Sequence, residues 1–315
     1  MNRRNFITTL AAGALAAPNV SVAAPTAPPA AQPATDALPT GKIGSLTVSR
    51  MLLGGNLLTH YTHSRDLKYV RNLCAHYNTP DKIMETLALA ERHGINTLVI
   101  HNPPPAMSVL TKYRQQGGKI QWIICPTAPV TPDMKAYSEM VKQLVDLGCE
   151  ALYLWGVRAD PLAVEGKVDL IAQAVEVAKE AGVPSGVGAH DLAVITACEE
   201  AKVPCDFYIK TFHHHKYPSG PRPEQLKGAV AEQPGYWCRD PQKTIKVMQN
   251  VTKPWIAFKI MAAGAIPPAE AFKYAFTNGA DHALVGMFDF EIAPDVALMK
   301  STLANLGPRQ RPWRS

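Results

Sequence analysis

Two lysines in the C-terminal third of the chain stand where lysine is costly. Asp206-Phe207-Tyr208-Ile209-Lys210-Thr211 and Trp255-Ile256-Ala257-Phe258-Lys259-Ile260 are apolar, β-rich runs of strand length. Strand side chains alternate, so Phe207, Ile209 and Thr211 share one face and Tyr208, Lys210 and Phe212 the other. In the second run Ile256, Phe258 and Ile260 oppose Ala257, Lys259 and Met261. An ammonium buried in an apolar layer loses its hydration without compensation, so both lysines are expected to face the interior of whatever the strands build. Two unit charges about 5 Å apart at an effective dielectric near 20 repel by roughly 3 kcal/mol, or about two pKa units. One amine should therefore be partly neutral and nucleophilic near pH 8. The expected roles are Lys210 as nucleophile, Lys259 as its electrostatic partner, and His190 and His213 as proton carriers. This covalent lysine chemistry needs no cofactor.

A rival set of residues points to a metal. His190, Asp191, His213 and His214, with His101 and Asp289, offer imidazoles and carboxylates for a divalent ion, zinc or manganese, in a sugar isomerase, epimerase or hydrolase. No stretch has diagnostic ligand spacing. A non-enzymatic binding protein is a further alternative, since binding alone needs no perturbed lysine pair.

The elements that must position these residues alternate regularly. Strands are predicted at 50–56, 95–101, 120–126, 149–155, 184–190, 205–211, 254–261 and 282–288. Helices fall near 80–93, 104–117, 133–147, 167–181, 191–202, 240–250, 268–278 and 292–306. Thr79-Pro80, Asp240-Pro241 and Pro267-Pro268 mark helix starts, and Gly94, Gly148, Gly182 and Gly279 mark ends. Eight strand–helix units in about 265 residues is the pattern of an α/β fold of the (β/α)8 TIM-barrel type. No Gly-x-Gly-x-x-Gly follows the first strand, which argues against an open doubly wound sheet.

Such barrels build their sites at the C-terminal strand ends. Those ends carry Gly54, Gly55 and Asn56; His101 and Asn102; Cys125 and Thr127; Trp155 and Arg158; His190 and Asp191; Lys210 and His213; Lys259; and Met287 with Asp289. Asn56, His101, Asn102, Trp155, Arg158, Trp237, Gly264 and Gly286 are the candidate substrate-binding residues. Two long connections, 57–78 and 212–239, leave the same end and are expected to fold over the mouth, with aromatic and imidazole side chains suited to a small polyhydroxylated or carbonyl compound.

Three local resemblances accompany these residues. The lysine strand at 206–211, with Phe258-Lys259 leading to Ala263-Gly264-Ala265-Ile266, resembles the last third of the deoxyribose-phosphate aldolase family over roughly 80 residues. That resemblance implies a Schiff base on Lys210, a pKa-lowering role for Lys259, and class I aldolase (lyase) activity. Ala263-Gly264-Ala265-Ile266 and Gly279-Ala280-Asp281 to Val285-Gly286 are similar to the phosphate grips of strands seven and eight in many barrels. Gly41-Lys42-Ile43-Gly44 through Ser49-Arg50-Met51-Leu52-Leu53-Gly54-Gly55-Asn56 resembles the opening hairpin and first strand of aldo-keto reductases, implying nicotinamide-dependent carbonyl reduction. Strand two here ends His101-Asn102, where that family places an Asp.

Before the barrel domain (40–315), Asn2-Arg3-Arg4-Asn5-Phe6-Ile7, the apolar Thr8 to Ala17 and the small residues Val22-Ala23-Ala24 resemble a twin-arginine signal peptide spanning 1–24, with an Ala/Pro-rich tether at 25–39. The apolar run is too short for a membrane anchor, so the expected partners are the export machinery and a small-molecule substrate, and the expected compartment is the periplasm. The net charge of +6 falls to +4 without Arg3 and Arg4, with no clustered basic run, which argues against nucleic acid. The six cysteines have no C-x-x-C spacing and read as small buried apolar residues. Replacing both arginines (Arg3→Lys, Arg4→Lys) is expected to retain the precursor in the cytoplasm. Undiminished periplasmic delivery on cell fractionation would refute the export signal.

Overall fold

The computed structural model describes residues 37–64, 67–227 and 237–315. The expected signal peptide (1–24) and most of the expected tether lie outside the described residues. At the tether's end Leu38 is already buried in the domain. An antiparallel hairpin, β1 (Thr40–Ile43) and β2 (Leu46–Ser49), turns at Gly44, whose φ of +55° is left-handed. Eight parallel strands then follow: β3 (Met51–Gly54), β4 (Thr97–His101), β5 (Gln121–Cys125), β6 (Ala151–Leu154), β7 (Ser185–Ala189), β8 (Phe207–Thr211), β9 (Trp255–Phe258) and β10 (His282–Val285). They close into a barrel in sequence order, with β10 paired to β3. The predicted TIM barrel is the observed fold.

Both faces of each strand are apolar because a parallel barrel is buried on both sides. Leu52, Val99, Ile123, Ile209 and Ile256 fill the interior, where Ile43 and Val48 of the hairpin join them. Leu53, Leu98, Ile124, Leu152, Val187 and Trp255 face the helices. On β7 the inward positions are Gly186 and Gly188; a Cβ at Gly186 would strike the Phe207 ring, so that ring occupies the space a side chain would need.

The eight predicted helices form as α2 (Pro80–Arg92), α3 (Pro104–Gln115), α4 (Lys135–Asp146), α6 (Val168–Glu180), α7 (Leu192–Glu200), α8 (Pro241–Asn250), α9 (Pro268–Thr277) and α10 (Asp289–Ala304). Two more were not expected: α1 (Tyr69–Tyr77) inside the first long connection, and α5 (Gly156–Val164) directly after β6. The six cysteines are free and buried. No helix of the described residues is long and apolar enough to cross a membrane.

The interior placement of Lys210 is overturned. On β8 it is Phe207 and Ile209 that line the barrel interior, while Tyr208 and Phe212 pack in the helix-facing core. Lys210 shares that outer parity. It is tolerated there because its Nζ donates to His190 O at 2.8 Å, Thr211 O at 2.9 Å and Thr211 Oγ1 at 2.9 Å, so all three protons are satisfied. Thr211 in turn donates to Trp237 O at 2.6 Å. Lys210 is a clasp joining the C-terminal ends of β7 and β8.

Candidate active site

Alternation from Ala257 would send Lys259 into the helix layer as well. Instead β9 ends at Phe258, and Lys259 adopts a left-handed φ of +55°. An L-residue there costs about 1–2 kcal/mol. The turn swings its ammonium into the mouth of the barrel, where it lines a cavity of about 750 Å³. The same loop continues left-handed at Ala262 (46°), Ala263 (55°) and Gly264 (79°). Three non-glycine residues in this region within five positions mark a segment held by its surroundings.

His190, one residue beyond β7, meets Lys259 there: its Nε2 lies 3.0 Å from Lys259 Nζ, and its Nδ1 lies 2.7 Å from Asp160 Oδ2. Asp160 projects from α5, and its other oxygen accepts the backbone N–H groups of His190 at 3.0 Å and Asp191 at 3.1 Å. Burial pushes the His190 imidazole below its usual value, Lys259 and Lys210 push the same way, and Asp160 opposes them. A neutral ring fits both contacts: Nδ1–H donates to the carboxylate, and the Nε2 lone pair accepts from the ammonium. The result is a continuous Asp160–His190–Lys259 chain, with Lys259 also 5.1 Å from the Trp237 ring centroid and 5.5 Å from that of Phe258.

The cavity wall is aromatic and imidazole-rich. His101 and Trp155 lie parallel, 6.1 Å between centroids and 3° between planes, and Tyr61 meets His101 edge-on at 5.6 Å. Asn56 Nδ2 lies 3.0 Å from His63 Nε2. Gly264 and Gly286 leave the rim open. Asn56, His101, Trp155, His190, Trp237, Lys259, Gly264 and Gly286 thus come together in one cavity, as expected. The first long connection contributes Tyr61 and His63, the second Trp237; residues 65–66 and 228–236 of these connections lie outside the described residues.

Other expected residues are elsewhere. Asn102 bonds Met140 Sδ at 3.2 Å and the Thr127 amide at 3.0 Å, and Arg158 donates to Thr127 O at 3.1 Å. Trp237 is only 1% exposed, so it is a packed wall residue and not a surface lid residue. His213 is fully buried; its Nδ1 lies 2.9 Å from His214 O, and its Nε2 accepts the Trp237 amide at 3.0 Å and the Cys238 amide at 3.3 Å. It fastens the second connection and does not line the cavity at the barrel mouth, so it is not placed there as a proton carrier.

The metal set does not converge either. Asp191 caps α7 and pairs with Arg239 at 3.2 Å, His214 meets Glu270 at 3.0 Å, and Asp289 holds Tyr77 and Lys82. Among the described residues no group of three or more His, Cys, Asp or Glu side chains is placed to hold an ion. Asp160 was missed, because α5 carries an internal Pro161 and has no clear apolar period; the Asp-Pro pair after Trp155-Gly156 was its only sequence mark.

No family model and no curated protein matches the sequence. Solved structures do match. Two structures of Pseudomonas aeruginosa proteins assigned as aldo-keto reductases align with TM-scores of 0.55 at 18% and 17% identity, covering 85% of this chain and 97% and 98% of theirs. An aldo-keto reductase from Bacillus halodurans in its holo form aligns with a TM-score of 0.55 at 11% identity, covering 87% of this chain and all of its own. At these identities the likeness shows the shared barrel fold.

Burial holds the His213 imidazole down to about 3, from an ordinary 6.5. Between those values the unfolded chain binds a proton that the folded chain refuses, so its stabilisation is complete above pH 6.5 and is lost as the pH falls toward 3. His213→Gln, which keeps a donor and an acceptor, should flatten the fall in Tm between pH 7 and pH 4. Parallel Tm–pH curves for the variant and the parent would contradict this placement.

Proposed function

We propose that this protein is a carbonyl-directed enzyme of oxidoreductase type, in which Lys259 donates a proton to the carbonyl oxygen of a small substrate. The observation that carries the reading is the Asp160–His190–Lys259 chain, with contacts of 2.7 and 3.0 Å, ending in an aromatic cavity at the barrel mouth. Proton delivery to a developing alkoxide is the part of carbonyl redox chemistry that a side chain performs, worth about 10²–10⁴-fold. His190, anchored by Asp160, takes up or returns the Lys259 proton. The names of the structural neighbours support the same class. The proposed setting is the periplasm, reached through the twin-arginine signal and the Ala/Pro tether, supported by the order of Arg3-Arg4, the apolar run and Val22-Ala23-Ala24.

The fold family implies a nicotinamide dinucleotide. The cavity does not fit its phosphate half. Lys259 is the only lysine or arginine lining it among the described residues, and Asp160 and Glu291 bring two carboxylates. Helix N-termini bind phosphate through free N–H groups and a positive dipole end. Here α9 opens on Pro267-Pro268, which have no N–H, with Glu270 in its first turn, and α10 begins with Asp289 and Glu291. No step is assigned to that group.

A second reading is favoured by one contact: His190 Nε2 lies within reach of Lys259 Nζ and would accept its proton, leaving an amine able to attack the carbonyl carbon. This moves the Schiff base to Lys259 from Lys210, whose pKa burial lowers but whose protons are spent on His190 and Thr211.

Turnover of uncharged aldehydes and ketones distinguishes the two. Lys259→Met should lower kcat at least about 100-fold, and borohydride with substrate should leave no adduct on Lys259 or Lys210 by mass spectrometry. A trapped adduct on Lys259 would replace the proton-donor reading with the covalent one. Undiminished kcat in the variant would sink both.

A further inference from the structure

Carbonyl redox chemistry needs a hydride equivalent, and the cavity does not suit the phosphates of the usual donor. We propose that the redox is internal to the substrate: the site isomerises an uncharged α-hydroxy carbonyl compound through an enediol, with Lys259 as the acid at oxygen and His101 as the base at carbon. The proposal rests on Lys259 as proton donor and adds the substrate class.

The charges select the ligand. One cation faces two carboxylates, so a phosphate or carboxylate substrate would meet more repulsion than attraction, whereas hydroxyls find donors and acceptors around the wall. Of the imidazoles lining the cavity, His190 is committed to Asp160 and Lys259, and His63 is bonded to Asn56. His101 remains. Its Nδ1 lies 3.5 Å from Thr59 Oγ1, and its ring is held between Trp155 and Tyr61, which leaves Nε2 for substrate. Burial lowers its pKa, so at pH 7 the ring is neutral and an unprotonated nitrogen is free to accept a proton, although as a weaker base than a solvated imidazole. Glu291 is a weaker candidate, because its carboxylate accepts the Phe288 amide at 2.8 Å as a cap of α10.

The atoms balance. His101 removes the proton on the carbon bearing the hydroxyl; that C–H pair becomes the new C=C bond, and the carbonyl π pair moves to oxygen, which takes a proton from Lys259. In the return step the original hydroxyl gives its proton to Lys259, its O–H pair forms the new C=O, and the C=C pair takes the proton from His101 at the former carbonyl carbon. One carbon is oxidised by two electrons and its neighbour reduced by two, with no outside reductant.

The test is solvent exchange in D2O with the full chain, without added nucleotide. Dihydroxyacetone, erythrulose, xylose and fructose serve as probes, followed by proton NMR. Deuterium should enter the carbon next to the carbonyl at least 100-fold faster than in buffer for at least one probe, with aldose–ketose interconversion, and both His101→Gln and Lys259→Met should remove the excess. The wild-type measurement needs no variant to fold. Exchange no faster than buffer for every probe overturns the proposal. If NADPH instead binds at micromolar concentration and supports carbonyl reduction, the internal route is wrong while Lys259 as proton donor stands. If neither reaction occurs and borohydride traps Lys259, the function proposed above fails as well.

Discussion

The site depends on one break in strand parity. β9 would carry Lys259 into the helix layer, and the left-handed φ of +55° at its own Cα turns the ammonium into the cavity. A flexible lysine could wander in such a mouth; His190 Nε2 at 3.0 Å and the neighbouring Trp237 and Phe258 rings hold it. His190 is held in turn by Asp160, whose second oxygen ties the backbone at the end of β7. The strain at Lys259, of order 1–2 kcal/mol, is offset by these contacts and by the barrel closing around them.

The two lysines show how one residue type takes opposite roles. Both are drawn to the polar ends of the strands, where carbonyls and imidazoles are exposed by the ladder's termination. Lys210 satisfies its protons on His190 O and Thr211 and so welds two strands. Its amine is depressed by burial foremost. Lys259 alone of the pair lines the cavity at the barrel mouth, whereas Lys210 borders a smaller one beside Asp191 and Arg239. Chemistry follows that difference in exposure and not the shared residue type.

Much of this architecture was legible in the sequence. The eight strands, eight of the helices and the hairpin follow from apolar run length, Pro and Gly punctuation and the opening segment. Half of the strand-end residues expected at the mouth line the cavity, because topology fixes which strand ends meet there but not which way each side chain turns. Parity was not legible on β8, since both faces of a parallel barrel strand are apolar and Ile209 and Tyr208 mark no difference between them. The identity of the histidine partner was hidden too, because Asp160 sits on a short helix interrupted by Pro161. His213 and His214 read as ligands, yet their run fastens a connection, through His213 to the Trp237 and Cys238 amides and through His215 to Cys238 O. Sequence shows that imidazoles are clustered; only the fold shows which atoms they face.

The central claim is that His190 is a neutral ring carrying its proton on Nδ1, so that Nε2 can accept from Lys259. Nitrogen-15 NMR of histidine-labelled protein, with His190 assigned by its loss in His190→Gln, reads this directly. A protonated Nδ1 and a bare Nε2 that persist from pH 7 to pH 9 are predicted. An imidazolium at pH 7, or a ring protonated on Nε2, would contradict the relay.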